Sequence, residues 1–235
     1  MKNIIICKSC GTENPYYEVI CSNCHAYLRE RIFNIDLWNT IEQLIETPVK
    51  AFRRIIQSEH KNFISLIFIF AVFKLFISSI FLSLALFKNE QPLNLFSIRF
   101  IFFAGGMLFL LLILSLLLLL VLKGGGIKSR FKDLFALLTF SLLPYSFAAI
   151  ILFPVELIIF GNYLFSVNPS PFIVKSFFAW VLVSLEVLLI LWSIFLTVTG
   201  TFAQTKSIRF SLINSIIFNI IVYSSIYFYS VYLSI

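Results

Sequence analysis

Five long apolar runs constrain this chain more than any other feature. They cover residues 63–87, 98–122, 134–160, 172–198 and 210–233, and Phe, Leu and Ile dominate each one. A hydrocarbon core about 30 Å thick is crossed by about 20 residues of helix, so each run is long enough to span a bilayer. Backbone polar groups must find partners inside the segment when no water is present, which favours helices. A transmembrane barrel would need alternating polarity, and these runs lack it. The expected fold is an all-α polytopic membrane protein, a five-helix transmembrane bundle. No internal repeat is visible, and five spans do not divide into two equal halves.

Charge is concentrated at the other end. Residues 1–62 carry fifteen of the 29 charged side chains. The chain therefore divides into a polar head (1–30), juxtamembrane helices (31–62) and a membrane body (63–235). "MKNIIICK" has too short an apolar run for a cleavable signal, which needs about 7–15 residues. Targeting then falls to the first span.

Orientation follows from Lys and Arg, which gather on the cytoplasmic side. The head holds eight, the 123–132 loop four, and the last connector two, Lys206 and Arg209. The opposite side holds three: Lys88, Arg99 and Lys175. The head is expected in the cytoplasm and the C-terminus outside, with Tyr227, Tyr229 and Tyr232 as interfacial anchors. The Phe, Ile and Asn richness suggests an AT-rich prokaryotic genome, hence a cell inner membrane.

Every cysteine lies in "CKSCGTENPYYEVICSNC": Cys7, Cys10, Cys21 and Cys24, two C-x-x-C pairs ten residues apart. A reducing cytoplasm disfavours disulfides. Four thiolates in two such turns suit a closed, tetrahedral structural Zn²⁺ site. A segment of about 30 residues cannot bury enough core to fold unaided, and metal binding supplies what it lacks. A closed site leaves no position for substrate. His25 follows Cys24 and is read as a surface residue. Lys2, Lys8, Glu13 and Glu18 sum to zero charge, which argues against nucleic acid as a partner. A protein-docking knob using Tyr16 and Tyr17 and a plain folded cap both remain open.

Asp36 can cap a first juxtamembrane helix, and Thr47-Pro48 can begin a second. The second places Val49, Phe52, Ile55 and Ile56 on one face, with Lys50, Arg53 and Arg54 on or beside the other. That pattern favours a helix lying in the membrane surface, basic side toward anionic lipid, over a soluble helix packed on the membrane body.

Inside the spans, Lys74 and Glu186 fall at similar depth, and ionisable groups there usually pair or line a path. An ion pair between them is expected. Glu156 sits near the outer end of the third run. Pro144 and Pro154 should kink that run by freeing the carbonyls of Phe140 and Ile150. Ala104-Gly105-Gly106 would allow close helix approach. "KGGG" at 123–126 lacks the G-K-[ST] of a phosphate loop. The two histidines lie outside the spans, and no nucleophile–base constellation assembles. Catalytic residues are therefore expected to be none.

"ETPVKAFRRI" ahead of the first span, five spans with the head inside, and "GGGIKSRFKDLFALLTFSLLPYSF" (124–147) resemble the Yip (Ypt-interacting protein) membrane family over roughly residues 45–233. "CKSCGTENP…CSNCHAYL" resembles the zinc-ribbon heads joined to several bacterial membrane proteins, with His25 where a Gly commonly follows the last Cys. The resemblance implies topology and a non-enzymatic character, and supplies no catalytic residue. Its eukaryotic members are linked to vesicle trafficking and Rab-type GTPases. The expected function is a membrane-organising or adaptor role, with a cytoplasmic or membrane protein as partner and homo-oligomerisation open. The rival is a small transporter or channel subunit built on Lys74 and Glu186.

Overall fold

The computed structural model describes residues 3–87, 96–166 and 168–232. The predicted connector at 88–94, including Lys88, lies outside the described residues, as do the last three residues and the Tyr232 side chain.

The head begins with a small antiparallel sheet. β1 (Ile4–Ile6) pairs with β2 (Glu13–Pro15), Ile5 facing Asn14. α1 (Leu37–Glu46) starts where Asp36 accepts a hydrogen bond from the Asn39 amide at 3.2 Å, which satisfies one of the free amides of the first turn. α2 (Pro48–Gln57) starts at Pro48, whose missing N–H costs nothing at that position.

The long helices are α3 (Ile64–Phe87), α4 (Phe96–Gly124), α9 (Ser176–Thr205) and α10 (Ile208–Tyr232). The third apolar run is the exception. It is divided into α5 (Phe131–Phe140), α6 (Leu143–Phe147), a π-turn at Ala148–Leu152, α7 (Phe153–Phe160) and a 3₁₀ turn at Gly161–Phe165. Pro144 cannot donate a backbone hydrogen bond, and the chain breaks just before it, at Ser141 and Leu142. Ahead of Pro154 the register slips to the wider π spacing, with the Phe153 amide bonded to the Ala148 carbonyl. The candidate span in this run is Leu143–Phe165 rather than the predicted 134–160, with α5 standing as a separate helix. α8 (Pro171–Val174) is a single turn before α9, which runs seven residues beyond the predicted end of the fourth span.

Among the described residues, five helical segments are long and apolar enough to cross a membrane: Ile64–Leu84, Phe96–Gly124, Leu143–Phe165, Ser176–Thr205 and Ile208–Val231. The protein is thus all-α and polytopic, with a cysteine cluster beside a two-stranded sheet at its N-terminus.

The chain forms two compact units. The first comprises Met1–Ser65, Leu111–Ser141 and Phe195–Ile216. Its centre is the apolar face of α2: Ala51, Phe52, Ile55 and Ile56 are sealed against α5, whose Leu134, Leu137 and Leu138 are equally buried. A side-chain carbon added at Gly200 of α9 would lie 3.1 Å from both Leu137 and Phe52, so glycine lets these layers close. The interfacial role predicted for α2 is therefore corrected. Its apolar face is covered by protein and is not available to lipid, because α5 and α9 offer a matching dry surface.

The second unit comprises Leu66–Leu110, Leu142–Ile194 and Ile217–Ile235. One of its cores joins Phe160, Leu164, Ala179 and Leu182. Phe76 packs on Phe96, Phe100 and Phe103 with ring centroids 5.1–5.6 Å apart. Tyr229 turns inward: its ring lies 4.9 Å from Phe103 and its hydroxyl donates to the Arg99 carbonyl at 3.0 Å. Gly105 and Gly106 have open space where a side chain would go, so the close approach expected there is found at Gly200 instead.

Candidate functional site

The four cysteines converge. Their sulfurs all lie within 4.8 Å of one another. Cys7 and Cys24 are 3.5 Å apart, as are Cys10 and Cys21. A disulfide is about 2.0 Å long, so these are separate thiols. Four sulfurs around one tetrahedral ion at about 2.3 Å lie roughly 3.8 Å from each other, and the observed spacing fits that donor set. The four residues could hold a metal ion.

Two copies of one backbone turn create the cluster. In the first, the Cys7 amide donates to the Thr12 carbonyl and the Gly11 amide to the Cys7 carbonyl. In the second, the Cys21 amide donates to the Ala26 carbonyl and the His25 amide to the Cys21 carbonyl. Each turn needs a left-handed residue after its second cysteine. Gly11 fills the first position at φ 72°, and His25 fills the second at φ 57°. His25 is thus a backbone substitute for glycine and carries a steric cost that Gly11 does not.

Asn14 ties the turns together. It is buried on β2, its amide donates to the Thr12 carbonyl at 2.9 Å, and its Nδ2 lies 3.5 Å from the Cys21 sulfur. Its Oδ1 accepts from the Ser22 amide and hydroxyl. Hydrogen bonding from the Thr12 hydroxyl and amide lowers the Cys10 thiol to about 6, toward the thiolate that binds a metal. Sequence reading passed over Asn14, although its place in "TENP" between the cysteine pairs was open to view.

Tyr16 and Tyr17, the candidates for a docking knob, face this chain itself. The Arg130 guanidinium lies 4.5 Å over the Tyr17 ring, and the Lys206 ammonium 5.8 Å over Tyr16. Arg29 donates to the carbonyls of Tyr17 (2.7 Å) and Gln57 (2.9 Å), and Asn3 donates to Gln204 at 2.6 Å. The ribbon is therefore seated on the basic connectors of its own unit. Cation–π attraction in a partly desolvated contact explains the choice of these two rings.

Below it lies a buried charge network. Lys61 Nζ is 2.9 Å from Asp133 Oδ1, and it also donates to the carbonyls of Ile55, Ile56 and Ser58 at the end of α2. Arg130 forks onto the same carboxylate at 2.7 and 3.2 Å and reaches the Ile56 carbonyl at 3.1 Å. Cations thus meet the negative end of α2, and Asp133 sits in the first turn of α5, each matching the local helix dipole.

In the second unit, Lys74 lies 2.6 Å from Glu186 and 2.7 Å from Glu156, with Lys74 only 1% exposed. Ser78 donates to Glu186 at 3.1 Å. Glu156 is expected near the outer end of a third span at 134–160. The span is Leu143–Phe165, which places Glu156 near its middle, and there its carboxylate meets Lys74.

These features define a class: a multi-pass helical membrane protein carrying a small four-cysteine head. The Yip1 domain matches residues 43–229 of the chain, and the chain belongs to that family. Comparison with curated proteins and with solved structures gives no match.

Proposed function

We propose that this chain is a non-enzymatic Yip-type protein of the cell inner membrane whose cytoplasmic zinc ribbon serves as a docking head. The observation that carries it is the seating of the ribbon through Arg29, Arg130 and Tyr17, which fixes a small metal-folded module against the membrane body. Cys7, Cys10, Cys21 and Cys24 would hold a structural Zn²⁺, whose binding supplies the folding free energy of the turns. With Tyr16 and Tyr17 engaged internally, Ile6, Ile20 and Tyr27 remain as exposed apolar side chains on the ribbon. These are the contacts offered to a cytoplasmic or membrane protein.

Crosslinking from the head in intact cells tests this reading. Capture of one defined protein, lost in Cys→Ser variants and in Tyr27→Ala, supports it. Labelling of the cysteines by a membrane-impermeant thiol reagent in whole, metal-stripped cells would place the head outside and overturn it.

One observation favours a second reading, a transporter or channel subunit. Lys74, Glu156 and Glu186 meet inside the spans next to a π-turn, and π-turns recur at functional sites. Ion flux in proteoliposomes that disappears in Glu186→Gln would establish it.

A further inference from the structure

Residues 31–35 and 59–62 run side by side in the same direction. The Glu59 amide donates to the Ile32 carbonyl and the His60 amide to the Phe33 carbonyl, each at 2.9 Å. Asn62 then brackets Ile35, donating to its carbonyl and accepting from its amide, each at 2.9 Å. Arg31 grips Glu59 through both carboxylate oxygens and lies 4.3 Å over the Phe33 ring. The offset is constant, so Ile35 stands level with Asn62, and Asp36 follows where Phe63 does. Ile64 begins the first apolar span.

This clamp fixes the height of α1. The apolar span and α1 begin from the same level, within one or two residues. Trp38 is two residues past Asp36, which at 1.5 Å per residue is about 3 Å along the helix. That rise is small beside the polar interfacial layer, which is about 5–8 Å deep on each side of a bilayer. Yet Trp38 is 78% exposed, and Phe33, five residues before it, is 52% exposed. Ile45 lies seven residues on along the same face and is also exposed.

We propose that Trp38, with Phe33, is an aromatic anchor set into the bilayer interface at the foot of the first span. Lipid is the occupant because Asn62, the partner of Ile35, stands two residues before Ile64, where the apolar span begins. Indole suits this layer, being apolar in its body with one N–H to place among carbonyls and water. The charge pattern defines the kind of binding. Glu42 and Glu46 flank the stripe on α1, so the anchor partitions by apolar burial and not by attraction to anionic headgroups. The membrane-surface role thus belongs to the start of α1, while the apolar face of α2 is covered by protein.

The test uses the full chain in lipid nanodiscs, one copy per disc, with Trp180→Phe and Trp192→Phe so that Trp38 is the sole indole. Lipids brominated near the glycerol should quench its emission several-fold more than lipids brominated near the chain ends, in neutral and anionic discs alike. Absence of lipid quenching overturns the proposal, whether iodide reaches the indole (a water-facing residue) or not (a residue covered by protein). If the double variant does not fold, hydroxyl-radical footprinting of the unaltered chain replaces it. Trp38 should then be oxidised several-fold more slowly, relative to intrinsic reactivity, than Tyr27, which is equally exposed on the ribbon. Equal rates overturn the proposal.

Discussion

The Lys61 ammonium lies 2.9 Å from the Asp133 carboxylate, and both side chains are all but sealed from solvent. Burial lowers Lys61 to about 8, and Asp133 opposes that shift without cancelling it. The folded chain therefore binds this proton less tightly than the unfolded chain. Below about 8 both states are protonated and the full penalty is present. Between about 8 and 10.5 the unfolded state holds more protons, so Lys61 adds stability as pH rises, on the order of 3 kcal/mol at most. Denaturation of wild type and Lys61→Met across pH 7–11 isolates it: their stability difference should move in favour of wild type through that window. A flat difference would refute the linkage.

Lys74 answers two carboxylates in the second unit. Lys74→Leu leaves both facing each other in a dry site and should cost about 3–5 kcal/mol. Adding Glu156→Gln and Glu186→Gln to that variant should recover most of the loss, since the uncompensated charge is then gone. Thermal unfolding in nanodiscs reads both steps. Equal destabilisation by the single and triple changes would mean that packing, and not charge, matters here.

His25 holds a left-handed backbone position that Gly11 fills in the matching turn. His25→Gly should stabilise the metal-loaded ribbon by about 1 kcal/mol, seen as a higher chelator concentration at half-release. A destabilised ribbon would show that the imidazole has a role of its own.

Asn14 supports the sulfur of Cys21 and both turns. Asn14→Ala should weaken metal binding about 10–100-fold in a competition assay with a coloured chelator. An unchanged affinity would reduce Asn14 to a strand residue.

Gly200→Val would force carbon atoms into the space occupied by Leu137 and Phe52. A loss of about 1–3 kcal/mol is expected, together with faster hydrogen exchange in α2. Gly105→Val has open space and should change little, which makes it the control.

Some of this was legible along the chain because its causes are local. Apolar run length sets span number through bilayer thickness, C-x-x-C spacing brings two sulfurs to one turn, and Asp36 and Pro48 start helices through their own chemistry. Lys74 and Glu186 could be paired on paper because depth along an unbroken helix is simple arithmetic. Other features depend on the spatial arrangement. Glu156 meets Lys74 because the third span begins at Leu143, after the break at Ser141 and Leu142, so that Glu156 falls near its middle. The amphipathic face of α2 reads identically for a lipid surface and for a protein surface, and only the presence of α5 and Gly200 chooses between them. Tyr17 on Arg130, and Lys61 on Asp133, join residues more than seventy positions apart, and no periodicity encodes such meetings. Composition and spacing settled what the chain must bury and where it could turn; tertiary packing decided which surface buries what, because apolar burial is non-directional and is satisfied by whichever dry partner lies within reach.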